Sequence, residues 1–432
     1  MAKVKIYPGA LSGTVNVPSS KSMGHREIIC AALAQGISVI DNISMSDDIK
    51  ATLRCLKALG VQSELTASRF KGRSAVKIYG EGTVKATGDE CDCGESGSTL
   101  RFLLPLGALC GATVTFTGAG RLGERPLKPY YDIFDMQGVK YAPAQGLPVT
   151  VEGRLRSGKF TLPGNVSSQF ISGLLFALPL LEGDSEIIIT TLLESQSYVD
   201  LTLAALKKYG IKVIINNNYK IFSVPGGQKY QCRNAVVEGD WSQAAFWLAA
   251  GCLNGNVICA GAEPSSLQGD RAVKDILQAM GGKISAADVG LLAETSRLYG
   301  TVIDAADCPD IIPVLTVAAA VAEGTTEIIN AGRLRIKECD RLHAISEELN
   351  KLGADIEEKA EILIVHGKPE GLRGGVVSAW NDHRIAMSMA VASLVCREPV
   401  IIEGSESVKK SYPTFWQDFS CLGGKYEQGE NL

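Results

Sequence analysis

A repeat with a period of about 72 residues constrains this 432-residue chain more than any other feature. Each copy contains an amphipathic helical pattern that runs into a glycine and then into a short β-prone segment. The copies are LKALGV (56–61), FDMQGVKY (134–141), LKKYGIKV (206–213), LQAMGGKI (277–284), LNKLGADI (349–356) and FSCLGGKY (419–426). Glycine at that place favours the left-handed residue that ends many helices. The sequence therefore predicts six copies of one structural unit.

A second recurring segment starts with a polar cluster and continues as a helix that is apolar on nearly every face. Its copies begin near Ser19, Ser96, Ser167, Ser242, Asp310 and Asn381. A helix that is apolar all round must be largely buried. Each unit is therefore predicted to contain a strand, a buried helix, a strand, an amphipathic helix and a strand, with further strands left open, which is an α/β fold. Six units could form a solenoid or two lobes of three, and the period alone does not decide between them.

The overall charge limits the class of ligand. The formal net charge is −4, whereas nucleic-acid binders usually carry a basic face, so no nucleic-acid partner is expected. An anionic ligand would have to be met by a local basic cluster.

Cysteine usage and apolar runs bear on metals and on the compartment. Twelve cysteines include no C-x-x-C pair, only the C-x-C of Cys91 and Cys93, and there are four histidines. We therefore expect no metal site, and reduced thiols in a reducing compartment. The first residues lack the apolar core of a signal peptide, and the longest apolar runs, around 171–181 and 311–322, are too short to span a membrane. A soluble, cytoplasmic protein with no membrane partner is expected.

Five basic clusters stand near predicted helix starts. They are SSKSMGHR (19–26), GESGSTLR (94–101), GERP (123–126), RLRIKECDR (333–341) and NDHR (381–384). The free N–H groups and the dipole of a helix start attract anions. A single such cluster is usually only a helix cap beside solvated arginines. Five of them in a repeated fold, on an acidic chain, favour a site for several anionic groups.

The same segments carry a resemblance to a known family. SSKSMGHR resembles the S-K-S-x-x-x-R start of the 5-enolpyruvylshikimate-3-phosphate synthase family, GESGSTLRF resembles its G-x-x-G-T-x-x-R segment, and GERPLKP resembles its E-R-P loop. VSSQF (166–170), RIKECDRL (335–342) and NDHRIAM (381–387) are similar to three further signatures, in family order. The resemblance implies a two-domain inside-out α/β barrel with three units per domain. One domain would comprise 1–18 and 238–432, the other 19–237, with ligands in the cleft between them.

The resemblance also implies a reaction. The 5-hydroxyl of shikimate 3-phosphate would attack C2 of phosphoenolpyruvate, and the tetrahedral intermediate would then lose phosphate, with no cofactor and no metal. Asp310 would be the base for the hydroxyl, Glu338 the acid for C3, and Lys21 would lie between both substrates. The alternative for Asp310 is a cap of the apolar helix that follows it.

Binding residues follow from the same motifs. For phosphoenolpyruvate the resemblance implies Lys21, Gly97, Arg125, Gln169, Arg341, Arg384 and Lys410. For shikimate 3-phosphate it implies Lys21, Ser22, Arg26, Ser167, Ser168, Ser195, Tyr198, Asp310 and Lys337. His383 is expected either to support the site or to contact a ligand. A monomer is expected.

Three residues depart from the family motifs, and two alternative functions remain open. Ser98 stands where threonine is common and Phe102 where proline is common, which leaves sensitivity to the inhibitor glyphosate open, and Arg333 replaces a common asparagine. The UDP-N-acetylglucosamine enolpyruvyl transferases share the repeat plan. However, most carry a reactive cysteine where this chain has Gly120, and a K-N pair where it has Lys21-Ser22. A non-catalytic repeat scaffold is the other alternative, and it would not require Asp310, Glu338 and Lys21 together.

Overall fold

The computed structural model describes residues 2–143 and 145–429, which form two compact units. The first unit comprises the described residues up to Pro18 and from Glu238 onward, and the second comprises Ser19–Val237. No helix in the described part of the chain is long and apolar enough to cross a membrane.

The α-helices of the described residues form six pairs, one pair for each copy of the repeat. They are α1 (Lys21–Leu33), α2 (Asp47–Ala58), α3 (Gly97–Gly107), α4 (Lys128–Gln137), α5 (Ser168–Ala177), α6 (Gln196–Lys208), α7 (Trp241–Asn254), α8 (Ala272–Ala279), α9 (Ile312–Ala320), α10 (Arg341–Lys351), α11 (His383–Ala392) and α12 (Phe415–Cys421). The first helix of each pair is buried along nearly its whole length, whereas the second buries one face. In the first unit, the buried helices α7, α9 and α11 pack against one another.

The six predicted glycines end the second helix of each pair. Gly60, Gly138, Gly210, Gly281, Gly353 and Gly423 have φ between +70° and +95°. Residues with side chains rarely adopt this conformation, so the repeated glycine is explained by the turn that it must make.

Each unit contains three open sheets, and all six sheets share one pattern. A parallel pair of strands is followed by two antiparallel strands. In the first unit the strands, in sheet order, are Gly375–Ser378, Val400–Glu403, Lys3–Tyr7 and Lys425–Gly429; Leu11–Asn16, Gly255–Ala260, Gly290–Glu294 and Lys283–Ala287; and Val302–Asp304, Thr325–Ile329, Leu363–His366 and Ile356–Glu358. In the second unit they are Cys91–Asp92, Val114–Thr117, Val149–Glu152 and Lys140–Ala142; Lys159–Leu162, Ser185–Ile189, Ile221–Val224 and Ile214–Asn216; and Tyr230–Gln231 with Ala235–Val236, Ala34–Ile43, Ser74–Glu81 and Gln62–Ala67. No sheet of the described residues closes into a barrel.

Three of the sheets take a strand from a distant part of the chain. Lys3–Tyr7 lies between Val400–Glu403 and Lys425–Gly429, and Leu11–Asn16 pairs in parallel with Gly255–Ala260. In the second unit, Tyr230–Gln231 pairs in parallel with the start of Ala34–Ile43. The ends of each unit are thereby tied into its own sheets.

Candidate active site

In the first unit, Asp310 lies in the short 3-10 turn Pro309–Ile311 that precedes α9, and three cations surround its carboxylate. Its Oδ1 accepts hydrogen bonds from Lys337 Nζ at 3.3 Å and Arg341 Nη1 at 2.9 Å, and its Oδ2 accepts one from Arg384 Nη2 at 2.9 Å. The cap position of α9 is Ile311, which has no side-chain cap bond. The alternative interpretation of Asp310 as a cap of α9 therefore gains no support, since its carboxylate binds three cations.

The electrostatics of this cluster keep Asp310 charged. Burial alone would raise the pKa of Asp310, but the combined charges of Arg384, Lys337 and Arg341 hold that pKa well below its usual value. The pKa of Lys337 is lowered to about 8, chiefly by burial, although Asp310 opposes that shift and the charge of Arg333 adds to it. Arg333 thus acts electrostatically on Lys337.

Arg341 joins three carboxylates, and only 2% of its side chain is exposed. Besides Asp310, its Nη2 donates to Glu338 Oε2 at 2.6 Å and its Nε donates to Asp382 Oδ2 at 2.7 Å. Asp382 is fully buried and also caps α11, because its Oδ1 accepts from the backbone N–H of Arg384 at 2.8 Å. The side chain of Asp382 therefore holds both the start of α11 and the guanidinium of Arg341.

A further carboxyl group lies in the same unit. Asp270, on the turn Gly269–Arg271, is buried and accepts a hydrogen bond from the hydroxyl of Ser242. Its turn packs against the turn that carries Asp310. Burial, together with the negative charge of Asp310, raises the pKa of Asp270 to about 7.

Two other predicted residues flank this cluster. Lys410 ends the turn Ser405–Lys410, and its Nζ donates to the carbonyl of Asn381 at 2.6 Å, two residues before α11 begins. His383 is buried at the first position of α11, with its Nδ1 4.0 Å from Asp382 Oδ1. This position places it beside the carboxylate that holds Arg341.

In the second unit, Lys21 is the first residue of α1 and its Nζ lies 2.7 Å from Asp48 Oδ2. Both side chains are about one-seventh exposed, at 15% and 13%. Asp48 belongs to the first turn of α2. The ammonium group of Lys21 is thus held at the start of two helices.

Arg26 is buried in the second unit, where only 2% of it is exposed. Its Nε donates to Thr202 Oγ1 at 2.8 Å, its Nη1 to the carbonyl of Ser22 at 2.7 Å, and its Nη2 to the carbonyl of Tyr198 at 2.8 Å. No carboxylate of the described residues forms an ion pair with it. Burial lowers the pKa of Arg26 to about 10, so the guanidinium remains charged at neutral pH.

The starts of α3 and α5 carry the residues expected for phosphoenolpyruvate. A Cβ added at Gly97 would overlap the guanidinium of Arg125, so the absence of a side chain lets that arginine approach the helix start. Gln169 donates from Nε2 to Ser98 Oγ at 2.9 Å, and its Oε1 accepts from Arg101 Nη1 at 2.8 Å. The amide of Gln169 is therefore fixed from both sides.

Three serines also lie at helix starts. Ser167 caps α5 by accepting from the backbone N–H of Gln169 at 3.3 Å, and Ser168 is the first residue of that helix. Ser195 precedes α6 with φ +52°, a left-handed conformation that is uncommon for serine, and only 1% of it is exposed. Such backbone strain is often found at functional sites.

In the first unit the structure joins Asp310, Lys337, Glu338, Arg341 and Arg384 in one cluster, and in the second unit it links Ser22, Arg26 and Tyr198 and, as a separate pair, Gly97 and Arg125. It also adds residues that the sequence did not single out. The added residues are Asp382, Asp270, Asp48 and Arg101. Asp382 and Arg101 lay inside recognised motifs, and an acidic residue one position before a helix start was a usable signal for Asp382. Asp48 and Asp270 had no local signal, because their roles depend on side chains that are remote in sequence. Within residues 2–143 and 145–429, no group of three or more His, Cys, Asp or Glu side chains is arranged to hold a metal ion.

Six α/β units in two compact halves, with arginines and lysines gathered at helix starts, define a protein that binds small anionic molecules. Residues 6–419 match the family model described as EPSP synthase (3-phosphoshikimate 1-carboxyvinyltransferase). The chain therefore belongs to the EPSP synthase family, as the motifs predicted.

Relatives and solved structures agree with this family. The chain is 52% identical to the 3-phosphoshikimate 1-carboxyvinyltransferase of Clostridium novyi (strain NT) over 98% of each chain, and 52% identical to that of Clostridium beijerinckii over 99% of each. An EPSP synthase structure from Acinetobacter baumannii matches with a TM-score of 0.82 at 27% identity, covering 100% of both chains. The enolpyruvyl transferase NikO from Streptomyces tendae matches with a TM-score of 0.77 at 18% identity over 99% of each chain, which shows a shared fold alone. The predicted two-domain α/β fold and the predicted enzyme family are confirmed, whereas the UDP-N-acetylglucosamine rival and the scaffold gain no support.

Proposed function

We propose that this protein transfers the enolpyruvyl group of phosphoenolpyruvate to the 5-hydroxyl of shikimate 3-phosphate and releases inorganic phosphate. The observation that carries the proposal is the ionic cluster of the first unit. In that cluster Asp310 and Glu338 both contact Arg341, at 2.9 Å and 2.6 Å. The reaction needs a base for the hydroxyl, an acid for the methylene carbon and cations for the substrate anions. This cluster holds candidates for all three.

Asp310 suits the role of base once an anionic substrate binds. Without a ligand, Arg384, Lys337 and Arg341 hold its pKa well below the usual value, which makes it a weak base. A phosphate or carboxylate placed at Arg341 and Arg384 would share their positive charge, and the basicity of Asp310 would rise. Substrate binding would thus activate the base.

Glu338 suits the role of acid because it lies next to the same arginine. Its Oε2 is 2.6 Å from Arg341 Nη2, and its side chain is 17% exposed, so a ligand can reach it. Phosphoenolpyruvate at Arg341 and Arg384, with Lys410 at the edge of the cluster, would lie beside this carboxyl group. Guanidinium groups suit these anions because two parallel hydrogen bonds can form.

The second unit would supply the remaining contacts. We assign the shikimate 3-phosphate contacts of that unit to Lys21, Ser22, Arg26, Ser167, Ser168, Ser195 and Tyr198, and the phosphoenolpyruvate contacts to Lys21, Gly97, Arg125 and Gln169. The assignment is supported by the helix starts on which these residues lie and by the buried positive charge of Arg26, which an anion would stabilise. Lys21 would stabilise charge that develops during the reaction.

We also propose that the protein acts as a monomer in the cytoplasm, with domains at 1–18 plus 238–432 and at 19–237. Gel filtration coupled to light scattering would give about 46 kDa for a monomer, whereas a stable dimer would contradict the first part of this proposal.

The decisive experiment measures phosphate release from phosphoenolpyruvate. We expect release with shikimate 3-phosphate, and none with phosphoenolpyruvate alone or with UDP-N-acetylglucosamine. Release that depends on UDP-N-acetylglucosamine instead would move the protein to the rival class. Glu338→Gln tests the assignment of the acid, and Glu347→Gln is a matched control, because Glu347 lies on the exposed side of α10 and pairs with Lys351.

A further inference from the structure

Two buried phenylalanines lie under two arginines of the second unit. The ring of Phe102 in α3 lies 5.2 Å from the guanidinium of Arg26 in α1, and the ring of Phe170 in α5 lies 5.0 Å from the guanidinium of Arg101 in α3. Both rings are at most 1% exposed. The same contact therefore occurs twice, each time between an arginine of one buried helix and a ring of the next buried helix along the chain.

Phe102 supports the residues assigned to shikimate 3-phosphate. Its partner Arg26 ties the carbonyl of Ser22 to that of Tyr198, and both of those residues are assigned to this substrate. Since no carboxylate among the described residues pairs with Arg26, the negative face of the ring adds to the attraction that the Thr202 hydroxyl and the two carbonyls exert on its buried charge. Phe102 is held edge-on by Phe176 at 5.5 Å.

Phe170 supports the residues assigned to phosphoenolpyruvate. Its partner Arg101 donates to Gln169 Oε1 at 2.8 Å and to the carbonyl of Pro126, next to Arg125, at 3.1 Å. The ring is held edge-on by Tyr130 at 4.8 Å, and the hydroxyl of Tyr130 donates to the carbonyl of Arg101 at 2.6 Å. The second ring is thus linked to a different set of ligand residues.

We propose that Phe102 and Phe170 are positioning residues with separate tasks, Phe102 for the shikimate 3-phosphate subsite and Phe170 for the phosphoenolpyruvate subsite. Neither ring is assigned a contact with a ligand. Each fixes the plane and position of an arginine that in turn fixes ligand contacts. The inference rests on the function proposed above.

The test compares Phe102→Leu with Phe170→Leu, two substitutions of the same size in the same core. For Phe102→Leu we expect the KM for shikimate 3-phosphate to rise about tenfold, while the KM for phosphoenolpyruvate changes less than about threefold. For Phe170→Leu we expect the reverse. The variants Phe102→Tyr and Phe170→Tyr keep the ring face and should restore both KM values to within about threefold of the wild type. Phe160→Leu controls for loss of core volume, because Phe160 is a buried ring that contacts no arginine in the described part of the chain.

A binding measurement separates this inference from the function on which it rests. Calorimetry of shikimate 3-phosphate with the free protein should show weaker binding for Phe102→Leu and unchanged binding for Phe170→Leu. Leucine variants that raise both KM values alike, or tyrosine variants as impaired as the leucine variants, would overturn the inference. If the wild type itself releases no phosphate with shikimate 3-phosphate, the proposed function has failed. If the wild type is active and the two KM values do not separate, only the positioning roles have failed.

Discussion

Two buried carboxyl groups of the first unit should respond in opposite ways to the same substitution. Asp382 accepts charged hydrogen bonds from Arg341 and a backbone bond from Arg384, whereas Asp270 accepts a hydrogen bond from the neutral hydroxyl of Ser242, and burial raises its pKa to about 7. Changing each aspartate to asparagine keeps the shape and removes the charge. We expect Asp382→Asn to destabilise the protein and Asp270→Asn to stabilise it near pH 8.

The magnitudes follow from burial and from the pKa. Removing one charge from a buried, hydrogen-bonded ion pair typically costs about 3–5 kcal/mol, and we expect about 3 kcal/mol for Asp382→Asn because Asp310 and Glu338 remain near Arg341. For Asp270, a rise of the pKa from 3.8 to about 7 corresponds to up to about 4 kcal/mol of destabilisation when the group is ionised.

The dependence on pH has a definite sign. Between pH 4 and pH 7 the folded protein keeps a proton on Asp270 that the unfolded chain has lost, so the stability contributed by this group falls as the pH rises through that range. The gain from Asp270→Asn should therefore be larger at pH 8 than at pH 5. Asp382→Asn should lose stability at both values.

Tryptophan fluorescence during urea unfolding is a suitable assay. All four tryptophans, Trp241, Trp247, Trp380 and Trp416, lie in the first unit, so their emission follows that unit. A midpoint that falls for both variants at pH 8 would refute the account of Asp270. An unchanged midpoint for Asp382→Asn would refute the account of the ion pair with Arg341.

Three further predictions concern activity. Glu338→Gln should lower kcat by about 10²-fold or more, because proton delivery to carbon is lost while the shape is kept, and an unchanged kcat in the phosphate-release assay would exclude that role. Gly97→Ala should raise the KM for phosphoenolpyruvate about tenfold, because the new methyl group displaces the guanidinium of Arg125. Calorimetry of this variant should show an unchanged affinity for shikimate 3-phosphate, and a lower affinity would contradict this geometry. The charge on Lys337 is lost as the pH rises through about 8, so kcat/KM should decline above that pH. In Lys337→Arg the side chain stays charged, so the decline should move to higher pH. An identical pH profile for both proteins would show that Lys337 does not cause the decline.

The sequence predicted the parts of this fold that repeat. The glycine that ends each second helix and the apolar run of each buried helix are local patterns, and they identified all six helix pairs. The sheets were predicted less completely, because Leu11–Asn16 and Tyr230–Gln231 pair with strands more than 190 residues away in the chain, and no periodicity reveals such partners.

In the candidate site, too, the local features could be predicted from the sequence, whereas the long-range contacts could not. Motif matching located the residues at helix starts, because polar side chains before an apolar run are visible in the sequence. It could not show that Arg26 is buried with carbonyl groups as acceptors, or that Asp48 is the partner of Lys21. Those facts depend on which helices pack together, and the charge state of Asp310 depends in turn on three cations brought in from other elements.

The interleaved strands at the start of the chain have a consequence for synthesis. Residues 3–16 are synthesised before the strands that flank them, since Gly255–Ala260, Val400–Glu403 and Lys425–Gly429 follow much later in the chain. Ser19–Val237 is continuous in sequence, so all strands of its sheets have been synthesised before residue 238 is added. The unit that carries Asp310 and Glu338 completes the sheet that contains Lys3–Tyr7 only after Lys425–Gly429 has been synthesised, so removal of that strand would leave the sheet without one of its edges.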